Sequence, residues 1–147
     1  YSKFSCNYLR SKIRKFCKSP KVNNIKAELF IKSLNALAFN LVALNTNENN
    51  KNLYENKNSR EKIYQIMSEG DRYLKKKGIK IPQSIDSRIK QTLSSTEHTM
   101  SMLSDHRKRR NSEIEHVWAS YINLMKKNKI NIYQTSKIYF ETLKIIK

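Results

Sequence analysis

The residues best suited to chemistry lie between positions 101 and 121 of the chain. Ser101 and Asp105 are four positions apart, so they share one face if this segment is helical. The basic run HRKRR follows at residues 106–110 and contains no apolar residue that could be buried. A nucleophile or hydrogen-bonding hydroxyl, a carboxylate and a cluster of cations would therefore lie close together.

A new helix is predicted directly after the basic run. Ser112 and Glu115 have the spacing of a capping box, in which each side chain caps the other's backbone N–H. Glu113 would then be the first helical residue, where the helix dipole favours a carboxylate. Two helices are thus predicted to meet at a basic corner; a solvated turn between surface helices is the simpler alternative.

The most apolar helix predicted from the sequence covers residues 25–44, IKAELFIKSLNALAFNLVAL. It is apolar nearly all round, which predicts burial at the centre of the domain. Of its few polar residues, the informative ones are Lys32, Asn35 and Asn40. Because an unpaired buried ammonium is costly, Lys32 should extend to solvent or line a cleft.

Two groups of residues resemble the second domain of ketopantoate reductase (2-dehydropantoate 2-reductase). The first is SMLSD at residues 101–105, followed by the basic loop and by SEIE at residues 112–115. The second is Lys32 with Asn40 eight positions later, running into Ala-Leu at residues 43–44. The family has Asn where this chain has Ala36, and Asn35 lies on the adjoining face. The resemblance covers about residues 25–146.

The resemblance implies that Lys32 and Glu113 are the catalytic residues. In the family, hydride passes from NADPH to the keto carbon of 2-dehydropantoate and gives pantoate, in the pantothenate pathway. Negative charge develops on the carbonyl oxygen, so an acid must protonate it. The resemblance assigns that proton to Lys32, and it places Glu113 near Lys32 and the cofactor ribose.

The resemblance also implies which residues hold the substrate. Ser101 would bind the carboxylate of the substrate and Asn40 its hydroxyl end, with Asn35 as a further candidate contact. Asp105 would be structural, because a bare carboxylate repels an anionic substrate. No metal site is expected.

The fold class predicted is all-α, with five or six helices packed around the helix at residues 25–44. This arrangement is similar to the C-terminal domain of 6-phosphogluconate dehydrogenase-like reductases. The 147 residues are expected to form one substrate-side domain. With Gly70 and Gly78 as the only glycines, neither GxGxxG nor a Walker loop is present. The Rossmann domain that holds NADPH in the family is therefore absent from this chain, and the chain alone is expected to be inactive.

Amphipathic spacing predicts the remaining helices at residues 4–18, 59–77, 84–104, 112–128 and 134–146. Gly78 is the candidate for the C-terminal cap of the helix at residues 59–77. The tract NTNENNKNLYENKN, at residues 45–58, is predicted to be a low-complexity surface loop. The helix at residues 4–18 carries Cys6 and Cys17, which are too far apart on one helix for a disulfide and are expected to be reduced and buried.

The chain is strongly basic, with 30 Lys and Arg against 12 Asp and Glu and a formal net charge of +18. The lysines are scattered over nearly every segment, which argues against one dedicated binding stripe for nucleic acid or lipid. No apolar run long enough to span a membrane is identified, and a cytoplasmic location is expected.

Two alternative functions remain at this point. One is a non-catalytic interaction or dimerisation domain of the same fold, kept open by Ala36 and by Trp118, where the family has Asn-Gly. The other is a nucleic-acid-binding helical module that uses residues 107–110. The second is not favoured, because the basic run has no interleaved aromatic residues.

Overall fold

Helices account for the regular secondary structure of this computed structural model, which describes residues 3–17, 24–93, 97–110 and 114–146. The helices of these segments are α1 (Lys3–Ile13), α2 (Ile25–Thr46), α3 (Asn50–Glu55), α4 (Lys57–Lys76), α5 (Ile85–Leu93), α6 (Ser101–Arg107), α7 (Ile114–Lys127) and α8 (Tyr133–Ile146). The described segments contain no β-strand, which confirms the all-α prediction. The described segments contain eight helices rather than five or six. A helix forms within residues 45–58, and the helix predicted over residues 84–104 is divided into two.

α2 lies at the centre of the domain, as predicted. It contacts α3, α4, α6 and α8, and most residues of its C-terminal half are buried. Its first turn is capped by Asn24, whose side-chain oxygen accepts from the Ala27 N–H at 3.1 Å. The sequence analysis expects no apolar run long enough to span a membrane, but α2 is long and apolar enough to do so. However, 56% of its most apolar stretch is buried inside the domain. The helices packed around it identify α2 as the core helix of this fold.

α4 packs closely on α2 and ends at a glycine. A Cβ atom on Gly70 would lie 3.2 Å from the Leu34 Cδ1 atom of α2, so the Leu34 side chain would have to shift by a few tenths of an ångström to accept a larger residue. At the end of α4, Gly78 has a φ of 68°, and the Ile79 N–H donates to the Leu74 carbonyl at 2.9 Å. This is a Schellman turn, which confirms the role predicted for Gly78.

α8 begins at a cap supplied by α4. The carboxylate of Glu69, which is buried, accepts from the Gln134 N–H at 2.9 Å and from the Thr135 N–H at 3.0 Å. These N–H groups have no partner within their own helix, so the carboxylate satisfies them.

The hydroxyl of Tyr121 has a pKa above its ordinary value. The main cause is burial, and the negative charge of the nearby Glu69 carboxylate raises the pKa further. The hydroxyl is therefore neutral near pH 7.

Amphipathic spacing predicts an inner face of α7 formed by Ile114, Val117, Trp118, Tyr121, Ile122 and Met125. It is confirmed for the last four, whereas Val117 is half-buried. Trp118 is fully buried, and Tyr121, Ile122 and Met125 are buried beside it. The Trp118 ring lies 6.5 Å from the ring of Tyr139 on α8. Trp118 therefore belongs to the core and adds nothing to the exposed surface.

Amphipathic spacing predicts Phe4, Leu9, Ile13 and Phe16 as the inner face of the first helix, and this is wrong for the three whose side chains are described. α1 ends at Ile13 rather than at residue 18, and the apolar residues described there are 60%, 39% and 90% exposed for Leu9, Ile13 and Phe16. Cys17 is exposed as well, not buried. The side chain of Cys6 lies outside the described residues.

The helix predicted over residues 84–104 is divided into α5 and α6. α5 ends at Leu93, and residues 97–100 are not helical. The tract Ser-Ser-Thr at residues 94–96 lies outside the described residues; its residue types have low helix propensity, which sequence periodicity does not register.

The prediction of a polar surface loop over residues 45–58 is wrong. α2 continues to Thr46, α3 occupies Asn50–Glu55, and α4 begins at Lys57. Leu53 of α3 is fully buried in the core. The backbone N–H of Asn50 donates to the carbonyl of His98 at 2.9 Å, which joins α3 to the segment before α6.

Capping explains why so polar a tract is ordered. Asn49 accepts from the Asn52 N–H at 2.9 Å, and Asn56 accepts from the Asn58 N–H at 2.9 Å. The Asn56 amide also donates to Glu48 at 2.7 Å. The asparagines give this tract the composition of a disordered segment, yet they lie at the ends of three successive helices, α2, α3 and α4.

We expect Leu53→Ala to lower the free energy of unfolding by about 2–5 kcal/mol, the usual cost of removing a buried leucine side chain. The exposed neighbour Asn52→Ala is the control and should change it by less than about 0.5 kcal/mol. Urea denaturation followed by circular dichroism measures both. Equal midpoints for Leu53→Ala and the parent chain would show that α3 does not pack and that the tract is a loop after all.

Candidate active site

A cleft of about 450 Å³ opens along one side of α2. The α2 residues that line it recur at helical spacing along a single stripe: Glu28, Ile31, Lys32, Asn35, Ala36, Phe39 and Asn40. The facing wall comes from the α4–α5 connection, α5 and the residue before α6: Ile81, Pro82, Gln83, Arg88, Gln91, Thr92 and Met100. A largely apolar cleft with a few polar groups is the usual form of a small-molecule site.

Lys32 lines this cleft and is exposed to solvent. Lys32 therefore both lines the cleft and extends to solvent, the two alternatives predicted from the sequence. Glu28, one turn earlier, lines the same cleft. Lys32 is therefore not desolvated in this chain by itself.

Asn40 is buried and links α2 to the start of α6. Its amide donates to the Ala36 carbonyl at 2.8 Å, and its side-chain oxygen accepts from the Met102 N–H at 3.2 Å. Met100, at the N-cap position of α6, makes no side-chain capping bond. Asn40 therefore caps α6 from another helix and sets the position of Ser101.

The other predicted site residues are placed less directly. Ser101, the first residue of α6, is exposed and does not itself line the cleft, although its neighbour Met100 does. Asp105 forms an ion pair with Arg110 at 3.6 Å. Glu113 lies outside the described residues. The structure thus brings together Lys32 and the two α2 asparagines and places Ser101 next to the cleft.

The basic run between α6 and α7 is partly engaged within the domain. Arg107 donates to the backbone carbonyl of Asn47 at 2.8 Å and to its side-chain oxygen at 2.8 Å. Asn47 ends α2, where the helix dipole favours a cation. With Arg110 paired to Asp105, two of the four arginines and lysines at residues 107–110 already have partners, which weakens the nucleic-acid alternative.

Arg88 is a site residue that the sequence reasoning missed. It lines the cleft but is only 4% exposed. Its Nη1 donates to the Asn35 side-chain oxygen at 3.0 Å, and its Nη2 donates to the Asp71 carboxylate. The signal was present, since Arg88 falls on the apolar stripe formed by Ile85 and Ile89.

The cleft fits the substrate side of a reaction better than it fits a dinucleotide. A dinucleotide pyrophosphate is held by a strand, a glycine-rich turn and the N-terminus of the next helix. The described segments contain helices without a strand, and so do not fit NADPH. Within those segments no group of three or more His, Cys, Asp or Glu could hold a metal ion.

We expect Asn40→Ala to lower the free energy of unfolding by about 1–2 kcal/mol, because α6 loses its cap and the Met102 N–H loses its acceptor. The specific readout is hydrogen exchange at the Met102 amide, which should accelerate. Ser33→Ala, at an exposed position of the same helix, is the control and should leave that amide unchanged. Unchanged exchange at Met102 in Asn40→Ala would contradict the capping role.

Comparison with known proteins gives a family for the chain. The family model described as ketopantoate reductase PanE/ApbA C terminal matches residues 24–142. No curated protein sequence gives a significant match.

The fold is similar to that of a PanE/ApbA family ketopantoate reductase from Ralstonia eutropha JMP134, with a TM-score of 0.73 and 17% identity. The similarity covers 85% of this chain and 42% of that one, so the chain spans less than half of the solved reductase. At this identity the likeness shows the fold alone. On the match to its family model, the chain belongs to the ketopantoate reductase C-terminal domain family.

Proposed function

We propose that this chain is the substrate-binding and catalytic half of an NADPH-dependent reductase that converts 2-dehydropantoate to pantoate. One observation carries the proposal: a single stripe of α2 places Lys32, Asn35 and Asn40 in a cleft of about 450 Å³. That volume suits a small organic acid. Family membership supports the reaction class, and a Rossmann domain of the intact protein would hold NADPH, which supplies the hydride.

Lys32 is the proposed proton donor. As the keto carbon is reduced, negative charge develops on its oxygen, and an ammonium beside that oxygen stabilises the charge and donates a proton. Lys32 is exposed in this chain, and closure of the Rossmann domain over the cleft would remove that solvent and strengthen the interaction. Glu113 is proposed to orient Lys32 and to contact the cofactor ribose.

The remaining polar residues are proposed to orient the substrate. The Asn40 amide nitrogen gives one N–H to the Ala36 carbonyl, and its second N–H is proposed to contact the hydroxyl end of the substrate. Ser101, at the start of α6, is proposed to reach the substrate from the edge of the cleft. Asn35 is already bonded to Arg88, so it does not simply replace the asparagine that the family has at Ala36.

A non-catalytic interaction domain is the second candidate. It is favoured by an apolar groove of about 300 Å³ between α2 and α7, which Leu29, Phe30 and Leu124 border. Leu29 is 56% exposed there. Trp118 no longer supports this candidate, because its side chain is buried in the core.

In the intact reductase we expect Lys32→Ala to lower kcat by about a hundredfold or more, the usual scale for a general acid. Its effect on stability should be small, because Lys32 is exposed. Lys26→Ala, an exposed lysine of α2 outside the cleft, is the matched control and should leave kcat unchanged. Steady-state oxidation of NADPH with 2-dehydropantoate measures both variants, and an unaltered kcat in Lys32→Ala would rule out its role as the acid.

By itself, the chain is expected to be folded and helical yet unable to oxidise NADPH with 2-dehydropantoate. The reason is that its described helices do not fit the dinucleotide. The same assay on the intact protein, with both domains, is the positive control. Turnover by the isolated chain would contradict the division of labour proposed, and inactivity of the intact protein would favour the interaction domain.

A further inference from the structure

Arg88 occupies the wall of the cleft where α2, α4 and α5 meet. Its guanidinium is almost completely buried, with 4% of its surface exposed. Asn35 accepts from Nη1 at 3.0 Å, and Asp71 accepts from Nη2. A guanidinium has five N–H donors. Within the described part of the chain, Arg88 Nε has no acceptor and Asp71 Oδ1 has no donor.

The Arg88–Asp71 pair is therefore incompletely satisfied, although it is buried. A buried donor without an acceptor costs free energy, and the cost is larger for a charged group. Contacts to Asp71 and Asn35 fix the plane of the guanidinium, because a planar fork bonded at both ends has little freedom to rotate. Arg88 also borders the cleft, and Nη1 and Nη2 each carry a second N–H besides the one given to Asn35 or Asp71, so these N–H groups are the donors that a ligand with acceptor oxygens would contact.

We propose that Arg88 binds the carboxylate of the substrate, and that Asp71 and Asn35 are positioning residues that hold its guanidinium. A carboxylate matches the donor fork of arginine better than it matches a single hydroxyl or ammonium. Ser101, to which the resemblance gives this role, is exposed and does not line the cleft. This inference rests on the proposed function for the identity of the acid.

The placement of Arg88 and Lys32 suits the carboxylate and the adjacent keto oxygen of a 2-keto acid. Lys32 lines the α2 side of the cleft and Arg88 lines the α5 side. In a 2-keto acid the carboxylate is bonded directly to the keto carbon, so one cation can contact the carboxylate while the other contacts the keto oxygen. Ala36, which follows Lys32 by one turn, lines the same cleft.

The experiment compares 2-dehydropantoate with its lactone, which has no carboxylate, in NMR titrations of the chain without NADPH. We expect the acid to bind more tightly than the lactone. Arg88→Met should weaken the acid about tenfold or more and the lactone less than about twofold, because a charge-assisted hydrogen bond is lost with the acid alone. Lys90→Met, an exposed lysine of α5 outside the cleft, is the control and should change neither.

Two further variants keep the test decisive if Arg88→Met does not fold. Arg88→Lys retains the charge but loses the fork, so it should still weaken the acid relative to the lactone. Asp71→Asn retains Arg88 but weakens one of the two contacts that orient its guanidinium, so it should weaken the acid relative to the lactone, by less than Arg88→Lys does. An acid-to-lactone ratio unchanged by Arg88→Lys, or no measurable binding of the acid by the parent chain, overturns the proposal.

The result is separable from the proposed reductase activity. If the chain binds the acid through Arg88 but the intact protein does not reduce it, the reductase proposal fails and the Arg88 assignment stands. If the intact protein reduces 2-dehydropantoate with an unchanged KM in Arg88→Lys, the Arg88 assignment fails and the reductase proposal stands.

Discussion

Burial of α2 is the constraint on which the rest of the domain depends. A helix that packs against a buried helix brings the unpaired backbone N–H groups of its own first turn into a region without water. Those N–H groups need acceptors from protein groups. Asn40 of α2 accepts the Met102 N–H of α6, and Glu69 of α4 accepts two N–H groups at the start of α8. α2 and α4 thus determine where α6 and α8 begin. Asn40, a polar residue in an apolar helix, has this structural role.

The cleft follows from the same arrangement. α4, α6 and α8 pack against α2, while the stripe that runs from Glu28 to Asn40 remains open to the cleft. Core and site therefore share one helix, and a shift of α2 would move Lys32 and the α6 cap together. Rigid elements hold site residues more precisely than loops do, which suits a reaction that needs a proton donor at a fixed place.

Sequence periodicity predicted the long helices well, because burial of one face leaves a pattern that needs no tertiary information. It failed where local hydrogen bonds decide the structure. The asparagines at positions 49 and 56 cap helices, and composition alone does not distinguish such caps from disorder. For the site, Lys32, Asn35 and Asn40 could be identified as polar exceptions in an apolar helix. Arg88 could not be interpreted in the same way, because its partner Asp71 is on another helix and only the fold brings them together.

Membership of a reductase family does not by itself fix the chemistry of this chain, since function depends on the side chains of the site. By the sequence resemblance alone, Lys32 matches the family and Ala36 departs from it. The Arg88–Asp71 pair adds a consideration of a different kind. A buried ion pair contributes little net stability, and apolar residues of similar volume often serve the fold as well or better. Packing alone is therefore a weak reason for a guanidinium in a cleft wall, and the proposed carboxylate would give the remaining Nη N–H groups of Arg88 an acceptor.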